Sequence, residues 1–342
     1  MRAIAIDGYG LDNARLLDVP DPEPGPGEIV VRLRAAALNR LDLWTATGTL
    51  DIEHDFPHIL GADGAGEVES LGRGVSGPRP GARVLINPGI SCGACEFCRA
   101  GEQSLCTRFR MLGEHLSGTL AEKVAVPEGN VFPSPAHLSD GEAAALGTTY
   151  ITAYRMLFRR GRLLPGEWVL ITGIGGGLAL ALLQLARPIA GRVFVTSSSQ
   201  SKIDRAVDLG ADAGVNYRDE DVGKAIRRLT FKRGVDLVVD SAAGESTSAA
   251  LRSLRKGGRL VTAGATAGAK AEIDFRRVFW NQLEIVGSTM GSVRDVSDMI
   301  RAVAGSGLHP VVDRSFSLTD GVDALRYLDS GDRFGKVVVE IQ

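Results

Sequence analysis

Short apolar runs separated by glycine and proline dominate the first 130 residues of the chain. A helix is predicted over Arg40–Thr47, and the punctuated apolar runs predict strands at Met1–Ile6, Ile29–Ala36, Gly66–Leu71, Arg83–Asn87 and Ala121–Val126. This part of the chain is therefore predicted to be rich in β-structure and turns.

From Ser139 onward the hydrophobic pattern changes. Ser139 and Glu142 form a capping-box signature before the apolar stretch Ala143–Phe158. Strand and helix patterns then alternate, with strands at Trp168–Thr172, Arg192–Thr196, Gly214–Tyr217, Val235–Asp240, Arg259–Ala263 and Glu284–Gly287, and helices at Leu178–Arg187, Ser201–Leu209, Asp221–Thr230 and Ser246–Leu254. This alternation predicts an α/β fold with a doubly wound parallel sheet.

The pattern changes again near the C-terminus. Helices are predicted near Val293–Ala304 and Gly321–Ser330, followed by a strand at Lys336–Ile341 that resembles the opening segment. A chain of 342 residues exceeds what one hydrophobic core usually organises. We therefore expect two domains, with the C-terminal strand returning to the first.

Composition narrows the class of protein. Hydrophobic residues make up 44% of the chain and charged residues 23%, and the net charge is −2. This balance is typical of a globular protein and provides no basic field for nucleic acid. No apolar run is long enough for a membrane span or a secretory signal, so we expect a cytoplasmic protein without membrane partners.

A glycine turn separates the first strand and helix of the alternating region. Gly173–Gly177 contains four glycines in five residues. Strand, glycine turn and helix together direct backbone N–H groups and a positive helix end toward a pyrophosphate. The G-x-G-x-x-G fingerprint is incomplete, with Ala179 at the last position, and a merely tight turn is the alternative. The candidate dinucleotide-binding residues here are Gly175, Gly176, Gly177 and Leu178.

All the cysteines of the chain lie in one short segment. Their spacing is Cys92-x2-Cys95-x2-Cys98-x7-Cys106. Four thiolates at this spacing can surround one tetrahedral Zn²⁺ and close it to water, which predicts a structural site. A disulfide is disfavoured in a cytoplasmic chain, and the long gap before Cys106 disfavours an iron–sulfur cluster.

These motifs together resemble the zinc-type medium-chain dehydrogenase/reductase superfamily. Further matching segments are Ile59–Val68, Gly118–Glu122, Leu209–Asp212 and Gly335–Val338. The resemblance spans essentially the whole chain. It implies a GroES-like β-rich catalytic domain at 1–145 and 295–342, with a zinc lobe at about 90–107, and a Rossmann domain at 146–294.

The chain departs from the alcohol dehydrogenases of this superfamily at the catalytic zinc. The resemblance places the Cys, His and Cys ligands of those enzymes at Asn39, Ala62 and Thr148. None of these residues is a standard zinc ligand, and the cysteines are already assigned to the lobe. The sequence therefore predicts no catalytic metal.

The absence of a catalytic metal limits the kinds of substrate that can accept a hydride. Oxidising an alcohol requires removal of a proton from a weakly acidic hydroxyl, which a metal facilitates. Without a Lewis acid, the easiest hydride acceptors are electrophilic ones, and hydrogen bonds can then steady a diffuse oxyanion. Quinones and α,β-unsaturated carbonyls meet this condition.

The segment Asn39–Trp44 resembles the N-x-x-D-x-aromatic segment of zinc-free quinone oxidoreductases. Those relatives often carry tyrosine where this chain has Trp44, which has no phenolic proton. Asn39 and Thr148 are candidates for orienting the substrate carbonyl, Asp42 and Asp63 for holding them in place, and Tyr150 for donating a proton. A structural hydrogen bond is the alternative role of each.

The segment after the second strand of the alternating region predicts the nicotinamide cofactor. Ser197 occupies the position where NAD enzymes place an acidic residue that binds the ribose hydroxyls. Serine hydroxyls and a nearby cation instead suit the 2′-phosphate of NADPH. In NADPH-using relatives, residues matching Lys202 and Tyr217 flank that phosphate. The predicted cofactor residues beyond the glycine turn are Ser197, Ser198, Lys202, Tyr217, Gly264, Ala265, Ser288, Thr289 and, more weakly, Lys336.

The leading hypothesis is an NADPH-dependent oxidoreductase that transfers hydride to a quinone or an α,β-unsaturated carbonyl, with one structural Zn²⁺. The alternatives are an alcohol or aldehyde dehydrogenase with a non-standard metal site and a non-catalytic NADPH-binding sensor or interaction protein. The resemblance also implies a homodimer or tetramer, with the run Glu284–Gly287 contributing to the subunit contact.

Overall fold

The computed structural model describes residues 1–342. Its strands are β1 Arg2–Ile6, β2 Ala14–Asp18, β3 Glu28–Leu38, β4 His58–Ile59, β5 Asp63–Leu71, β6 Arg83–Ile86, β7 Gly89–Ile90, β8 Arg110–Met111, β9 Lys123–Pro127, β10 Val131–Pro133, β11 Trp168–Ile171, β12 Arg192–Ser197, β13 Ala213–Asn216, β14 Val235–Asp240, β15 Leu254–Thr262, β16 Glu284–Gly287, β17 Val312–Ser317 and β18 Lys336–Glu340.

The α-helices lie between these strands. They are α1 Arg40–Thr47, α2 Glu96–Arg99, α3 Asp140–Ala145, α4 Gly147–Tyr154, α5 Gly177–Ala186, α6 Gln200–Asp208, α7 Val222–Leu229, α8 Ser246–Ser253, α9 Phe275–Asn281, α10 Val293–Ser306 and α11 Gly321–Ser330. None of the helices combines the length and the apolar character that a transmembrane segment requires.

The chain divides into two compact units. Unit 1 comprises Met1–Ile151 and Met290–Gln342, and unit 2 comprises Thr152–Thr289. The chain therefore leaves unit 1 once and returns to it.

A seven-stranded sheet organises unit 1. Its order is β10-β6-β5-β3-β18-β17, and β9 pairs with β3 outside this path. The long central strand β3 pairs antiparallel with both β5 and β18. Apolar side chains along it, such as Val31 and Leu33, join Val337 and Val339 of β18 in one core. A three-stranded sheet, β2-β1-β4, and the small β7-β8 pair complete the unit.

Unit 2 contains one six-stranded sheet with the order β13-β12-β11-β14-β15-β16. All its pairings are parallel. The apolar runs of the inner strands are buried, as expected for a parallel sheet whose two faces are both covered. The strand order reverses at β11, which lies between β12 and β14, and ligands of such sheets bind beside the carboxyl ends of the strands at this point.

A β-rich GroES-like unit and a doubly wound parallel sheet confirm the predicted fold class. Eight elements have no counterpart among the predicted ones: β2, β4, β7, β8, β10, β17, α2 and α9. Strand β17 has no fully buried residue, and α9 has none either, so neither carries the apolar periodicity on which prediction depends. The apolar stretch from Ala143 is divided among α3, α4 and a π-helical turn at Arg155–Arg160.

Candidate functional site

Unit 1 contains a buried polar cluster of five residues: Asn39, Asp42, Asp63, Thr148 and Lys336. Asn39 and Asp42 form the capping box at the start of α1, directly after β3. Asp63 begins β5, Thr148 lies in the first turn of α4, and Lys336 begins β18. The five side chains meet because β3 is paired on one side with β5 and on the other with β18.

The Asp63 carboxylate lies at the centre of this polar cluster. Its Oδ1 accepts hydrogen bonds from the Thr148 backbone N–H at 2.6 Å and from the Thr148 hydroxyl at 2.7 Å. Its Oδ2 accepts from the Asn39 amide at 2.9 Å and from the Lys336 ammonium at 3.0 Å. Asp63 is fully buried, and four donors with one positive charge replace the water that its carboxylate loses on folding.

Close approach to Asp63 explains a glycine at the start of α4. A Cβ at Gly147 would stand 2.3 Å from Oδ1 of Asp63. Any other residue would push the helix away from the carboxylate. Gly147 thus lets the first turn of α4 present Thr148 to Asp63.

The Asn39 carboxamide is fully occupied within the cluster. Its Oδ1 accepts from the Lys336 ammonium at 2.7 Å, and its Nδ2 donates to Asp63 and, at 3.3 Å, to the carbonyl of Ala37. An amide has two N–H donors, so both are used. Asn39 is buried and held in one orientation by these contacts.

Asp42 is a second buried carboxyl in the same cluster. Its Oδ2 accepts from the Asn39 backbone N–H at 2.6 Å. Burial raises the pKa of Asp42 to about 7, and the nearby charge of Asp63 acts in the same direction, against the smaller opposing effects of the Asn39 N–H and the Lys336 ammonium. A substantial fraction of Asp42 is therefore protonated at neutral pH.

These residues do not fit a catalytic zinc. Of the three ligand positions implied by the resemblance, Ala62 has no ligand atom, and the amide of Asn39 and the hydroxyl of Thr148 are held by Asp63 and Lys336. The ammonium of Lys336 already provides a positive charge next to Asp63. A divalent cation at this point would be repelled by that charge.

Two of the predicted site residues lie in surroundings that differ from their predicted roles. Lys336, predicted as a weak cofactor residue, directs its ammonium to Asn39 and Asp63 in unit 1. Tyr150, predicted as a proton donor, has a hydrogen bond with the backbone of Val311, and burial raises its pKa well above the usual range. The raised pKa disfavours proton donation by Tyr150, and the hydrogen bond with Val311 offsets this rise only in part. The sequence carried one signal for Lys336: a lysine opening a valine-rich, buried strand needs a buried anion.

The four cysteines form a second polar site in unit 1. They lie between β7 and β8, and their Sγ atoms are all within 4.8 Å of one another. The Sγ atoms of Cys92 and Cys98 are 3.9 Å apart, close to the roughly 3.8 Å expected between ligands of a tetrahedral site with Zn–S bonds of about 2.3 Å.

Backbone groups around the cysteine site favour a thiolate at Cys92, whereas burial raises the pKa of Cys98 to about 11. The Cys92 N–H and the Arg108 N–H each donate to Sγ of Cys106 at 3.3 Å. The backbone N–H groups of Ala94 and Cys95 lower the pKa of Cys92 to about 5. Four converging sulfurs supported by backbone donors fit one structural Zn²⁺ with no open coordination position.

The glycine turn of unit 2 has the backbone geometry of an anion-binding turn. Gly173 and Gly175 have φ values of 68° and 114°, in the region that favours glycine. Gly176 is the N-cap of α5, and nothing lies within 4 Å of the position that a Cβ would take there. Backbone N–H groups at the start of α5 can therefore be approached closely by a phosphate.

Residues predicted to bind a 2′-phosphate surround this turn. The Lys202 side chain packs against it, because its Cδ lies 2.8 Å from where a Cβ of Gly175 would be. The Tyr217 N–H donates to the Ser197 carbonyl, and the Tyr217 side chain is exposed. Ser197 itself is buried, and its hydroxyl accepts from the Ser199 N–H at 3.3 Å. Ser198 is half-buried beside it.

Polar atoms without partners collect at the carboxyl ends of three neighbouring strands. Oδ2 of Asp240 in β14, Oγ1 of Thr262 in β15 and Oγ of Ser288 after β16 are buried and have no hydrogen-bond partner. Gly264 and Ala265 follow β15 and are exposed, as is Thr289. This edge of the sheet fits a polar ligand such as a nicotinamide cofactor, which could satisfy such groups.

Comparisons with known proteins agree with this architecture. Two family models match the chain, the alcohol dehydrogenase GroES-like domain over residues 25–136 and the zinc-binding dehydrogenase over residues 177–305. A crystal structure of an NAD-dependent alcohol dehydrogenase superposes with a TM-score of 0.96 at 43% identity, and both chains are covered completely.

Among curated proteins, the chain is similar to enzymes with two different kinds of name. An NAD-dependent alcohol dehydrogenase of Sulfolobus acidocaldarius is 30% identical, and both chains are covered completely. A crotonyl-CoA reductase of Streptomyces avermitilis is 31% identical over 94% of this chain and 80% of its own length.

The family models, the parallel sheet of unit 2 and the GroES-like sheet of unit 1 identify the chain as a member of the zinc-type medium-chain dehydrogenase/reductase superfamily. It is an oxidoreductase of the nicotinamide-dependent kind, acting on small molecules.

Proposed function

We propose that the protein is an NADPH-dependent reductase that transfers hydride to a quinone or an α,β-unsaturated carbonyl without a catalytic zinc. The observation that carries the proposal is the Lys336–Asp63 ion pair, with Nζ and Oδ2 at 3.0 Å, whose partners are the residues at the missing ligand positions. An ammonium and amide cluster can stabilise charge on an oxygen but cannot acidify an alcohol as zinc does.

The chemistry divides between a bound cofactor and the residues of the cluster. When bound, the nicotinamide cofactor supplies the hydride. The polar cluster would supply the Lys336 ammonium as a local hydrogen-bond donor to the oxygen of the acceptor, and the hydrogen bonds that hold this ammonium are formed before the reaction begins. Burial of the cluster strengthens this effect because water does not screen the charges.

The preference for NADPH rests on the second strand of unit 2. Strand β12 ends at Ser197 rather than at an acidic residue, and Lys202 lies against the glycine turn.

We expect Lys202→Ala to weaken NADPH binding about 10- to 100-fold, the range for a hydrogen bond to a charged group, and to leave NADH binding nearly unchanged. Fluorescence titration with both cofactors measures this, and equal losses for both would contradict the assignment.

The remaining predicted cofactor residues follow from the same proposal. Gly175, Gly176, Gly177 and Leu178 would hold the pyrophosphate, Ser197, Ser198 and Tyr217 the adenosine phosphate, and Gly264, Ala265, Ser288 and Thr289 the nicotinamide end. The unpartnered Oγ of Ser288 supports the last group, because it is a buried atom that still needs a partner.

One experiment tests the activity and the metal content together. NADPH consumption is followed with a panel of quinones, enones and enoyl thioesters, and zinc is measured on the same sample. We expect turnover with several acceptors and about one zinc per chain, held by the four cysteines. Tight NADPH binding without turnover of any acceptor would favour a sensor instead.

An alcohol or aldehyde dehydrogenase is the second candidate. The name of the relative from Sulfolobus acidocaldarius favours it, and that of the crotonyl-CoA reductase favours the first proposal, since crotonyl-CoA is an α,β-unsaturated thioester. Two zinc ions per chain and alcohol-dependent reduction of NAD would establish this alternative. The occupied state of Asn39 and Thr148 argues against it.

We also propose that the protein forms a homodimer through unit 2. Strand β16 is at the edge of the sheet, and Ile285 on it is 41% exposed. An exposed apolar edge strand offers unpaired backbone groups to a second copy. Phe279 and Trp280 of α9, just before this strand, are also exposed. Light scattering after size-exclusion chromatography measures the mass, and Ile285→Lys is expected to shift a dimer toward monomer.

A further inference from the structure

The proposed reaction needs a hydrogen-bond donor for the oxygen on which negative charge develops, and this inference rests on the proposed function. The predicted carbonyl-orienting residues Asn39 and Thr148 are already committed in the described hydrogen bonds, Asp42 was predicted only to support them, and burial raises the pKa of Tyr150 well above its usual range. Both N–H groups of the Asn39 amide are used, and the Thr148 hydroxyl donates its proton to Asp63. The Tyr150 hydroxyl lies against the backbone of Val311.

Lys336 is the positively charged member of the polar cluster, and it has donor capacity to spare. An ammonium carries three N–H donors. Two of them are directed to Oδ1 of Asn39 at 2.7 Å and to Oδ2 of Asp63 at 3.0 Å. These two hydrogen bonds fix the position of the ammonium. They leave its third N–H available to another oxygen.

We propose that Lys336 is a catalytic residue that donates a hydrogen bond to the carbonyl oxygen of the hydride acceptor, and that Asp63 and Asn39 position it. By hydrogen bonding, Lys336 then supplies the positive charge that a catalytic zinc would supply at the ligand positions now held by Asn39, Ala62 and Thr148. Its side chain is 3% exposed, so its charge acts in a dry environment.

The chemical step balances without a further oxidant or reductant. For an enone, the hydride supplied by the bound nicotinamide forms a C–H bond at the β-carbon, the alkene pair moves to the bond between the α-carbon and the carbonyl carbon, and the carbonyl pair moves to oxygen. Lys336 stays protonated and stabilises this enolate. Water then supplies the proton that the α-carbon takes up.

The central test compares Lys336→Met, which removes the charge at similar volume, with Lys336→Arg, which keeps it. We expect Lys336→Met to lower kcat roughly 100- to 1,000-fold with a weakly electrophilic enone, the range for losing one oxyanion donor. The loss should be much smaller with a strongly electrophilic quinone, whose oxyanion needs less stabilisation. Equal losses for both acceptors would assign Lys336 a purely structural role and overturn the proposal.

Two further measurements do not depend on turnover. The infrared stretch of a ¹³C-labelled enone carbonyl, bound together with oxidised cofactor, should lie at lower frequency in the wild type and in Lys336→Arg than in Lys336→Met. The dissociation constant of NADPH should be the same in all three proteins. An unchanged carbonyl stretch, or a weaker NADPH complex in Lys336→Met, would contradict the proposal, the latter by indicating a cofactor contact.

A chemical-rescue experiment tests the proposal even if Lys336→Met folds poorly. Lys336→Ala is assayed with added methylammonium. The matched control is Lys202→Ala, which removes a lysine proposed to bind the cofactor. We expect methylammonium to restore enone reduction only in Lys336→Ala, and no rescue of a folded variant would count against the proposal. A wild type that reduces neither enones nor quinones would instead refute the proposed function.

Discussion

The cysteine lobe and the buried polar cluster lie in the same unit, but they are assembled in opposite ways. The lobe takes its four sulfurs from the segment Cys92–Cys106. The cluster joins Asn39 to Lys336 across 297 positions of sequence. The lobe is a local site in which spacing alone defines the chemistry, whereas the cluster exists only once the strands of unit 1 are paired.

The two sites also provide positive charge differently. Four thiolates require an external cation, and the lobe has the ligand geometry for zinc. The cluster contains its own cation in Lys336, already paired with Asp63. The difference teaches that the two sites can change independently, because the cluster depends on the pairing of β3 with β5 and β18, whereas the lobe lies between the strands of the separate β7-β8 sheet.

The largest expected effect is the loss of stability caused by Asp63→Ala. This change leaves the Lys336 ammonium buried without its anion and removes the acceptor of Thr148 and Asn39. We expect the free energy of unfolding to fall by about 3–5 kcal/mol, as for other broken buried ion pairs. Urea denaturation measures it. The control Asp323→Ala removes an exposed carboxylate and should lower the free energy of unfolding by less than about 1 kcal/mol. Similar losses in the two variants would mean that the cluster contributes little to stability.

The next effect concerns the pH dependence of stability. The pKa of Asp42 is about 7 in the folded chain and 3.8 without the fold, so between these values the folded chain holds a proton that the unfolded chain has released. Asp42 should therefore contribute a falling slope to the free energy of unfolding through this window, by up to about 4 kcal/mol. This slope is opposite in sign to the rise from His58, whose pKa burial lowers to about 4. Asp42→Asn should remove this slope, and Asp323→Asn should keep it. Identical pH profiles for wild type and Asp42→Asn would contradict the assignment.

A comparable but smaller effect is expected in the lobe. Cys98→Ser should abolish zinc binding, measured by elemental analysis, and destabilise the protein by up to about 3 kcal/mol, the chain-entropy value for a closed loop of fifteen residues. NADPH affinity should not change, because the residues proposed to bind it belong to unit 2. Loss of NADPH binding in a folded Cys98→Ser protein would show that the lobe and the cofactor site are coupled.

The smallest effect is expected from Thr148→Val, which removes one hydroxyl donor from Asp63 and nearly preserves volume. The backbone N–H of residue 148 still donates to the same oxygen. We expect a loss of about 1.5–2 kcal/mol, within the range for a hydrogen bond to a charged group. Thr148→Ser, which keeps the hydroxyl, is the control, and a loss as large in Thr148→Ser would point to packing rather than to the hydrogen bond.

Much of the fold follows from the sequence because most of its elements carry their own hydrophobic period. Helices α1 and α11 have the predicted bounds, and the buried strands β11, β12 and β14 agree within a residue or two. Polar strand β17 could not be predicted, because it is defined by pairing with β18 and not by an apolar pattern.

Only part of the candidate site could be predicted from the sequence. Asn39 and Thr148 were found because the resemblance aligns them with ligand positions, and Asp42 because it belongs to the N-x-x-D-x-aromatic segment. The structure brings the three residues together. The part played by Lys336 was not found, since nothing near it in sequence identifies its partner. Only the antiparallel register of β18 with β3 delivers the ammonium to Asn39.

The distance in sequence between Asn39 and Lys336 has a consequence for synthesis on the ribosome. At about 5–20 residues per second, the 297 intervening positions take roughly 15–60 s to translate. During that interval the nascent strands β3 and β5 carry the Asp63 carboxylate without the cation that neutralises it. Unit 1 therefore cannot reach its native charge balance co-translationally until β18 has emerged, which makes its early strands candidates for chaperone protection.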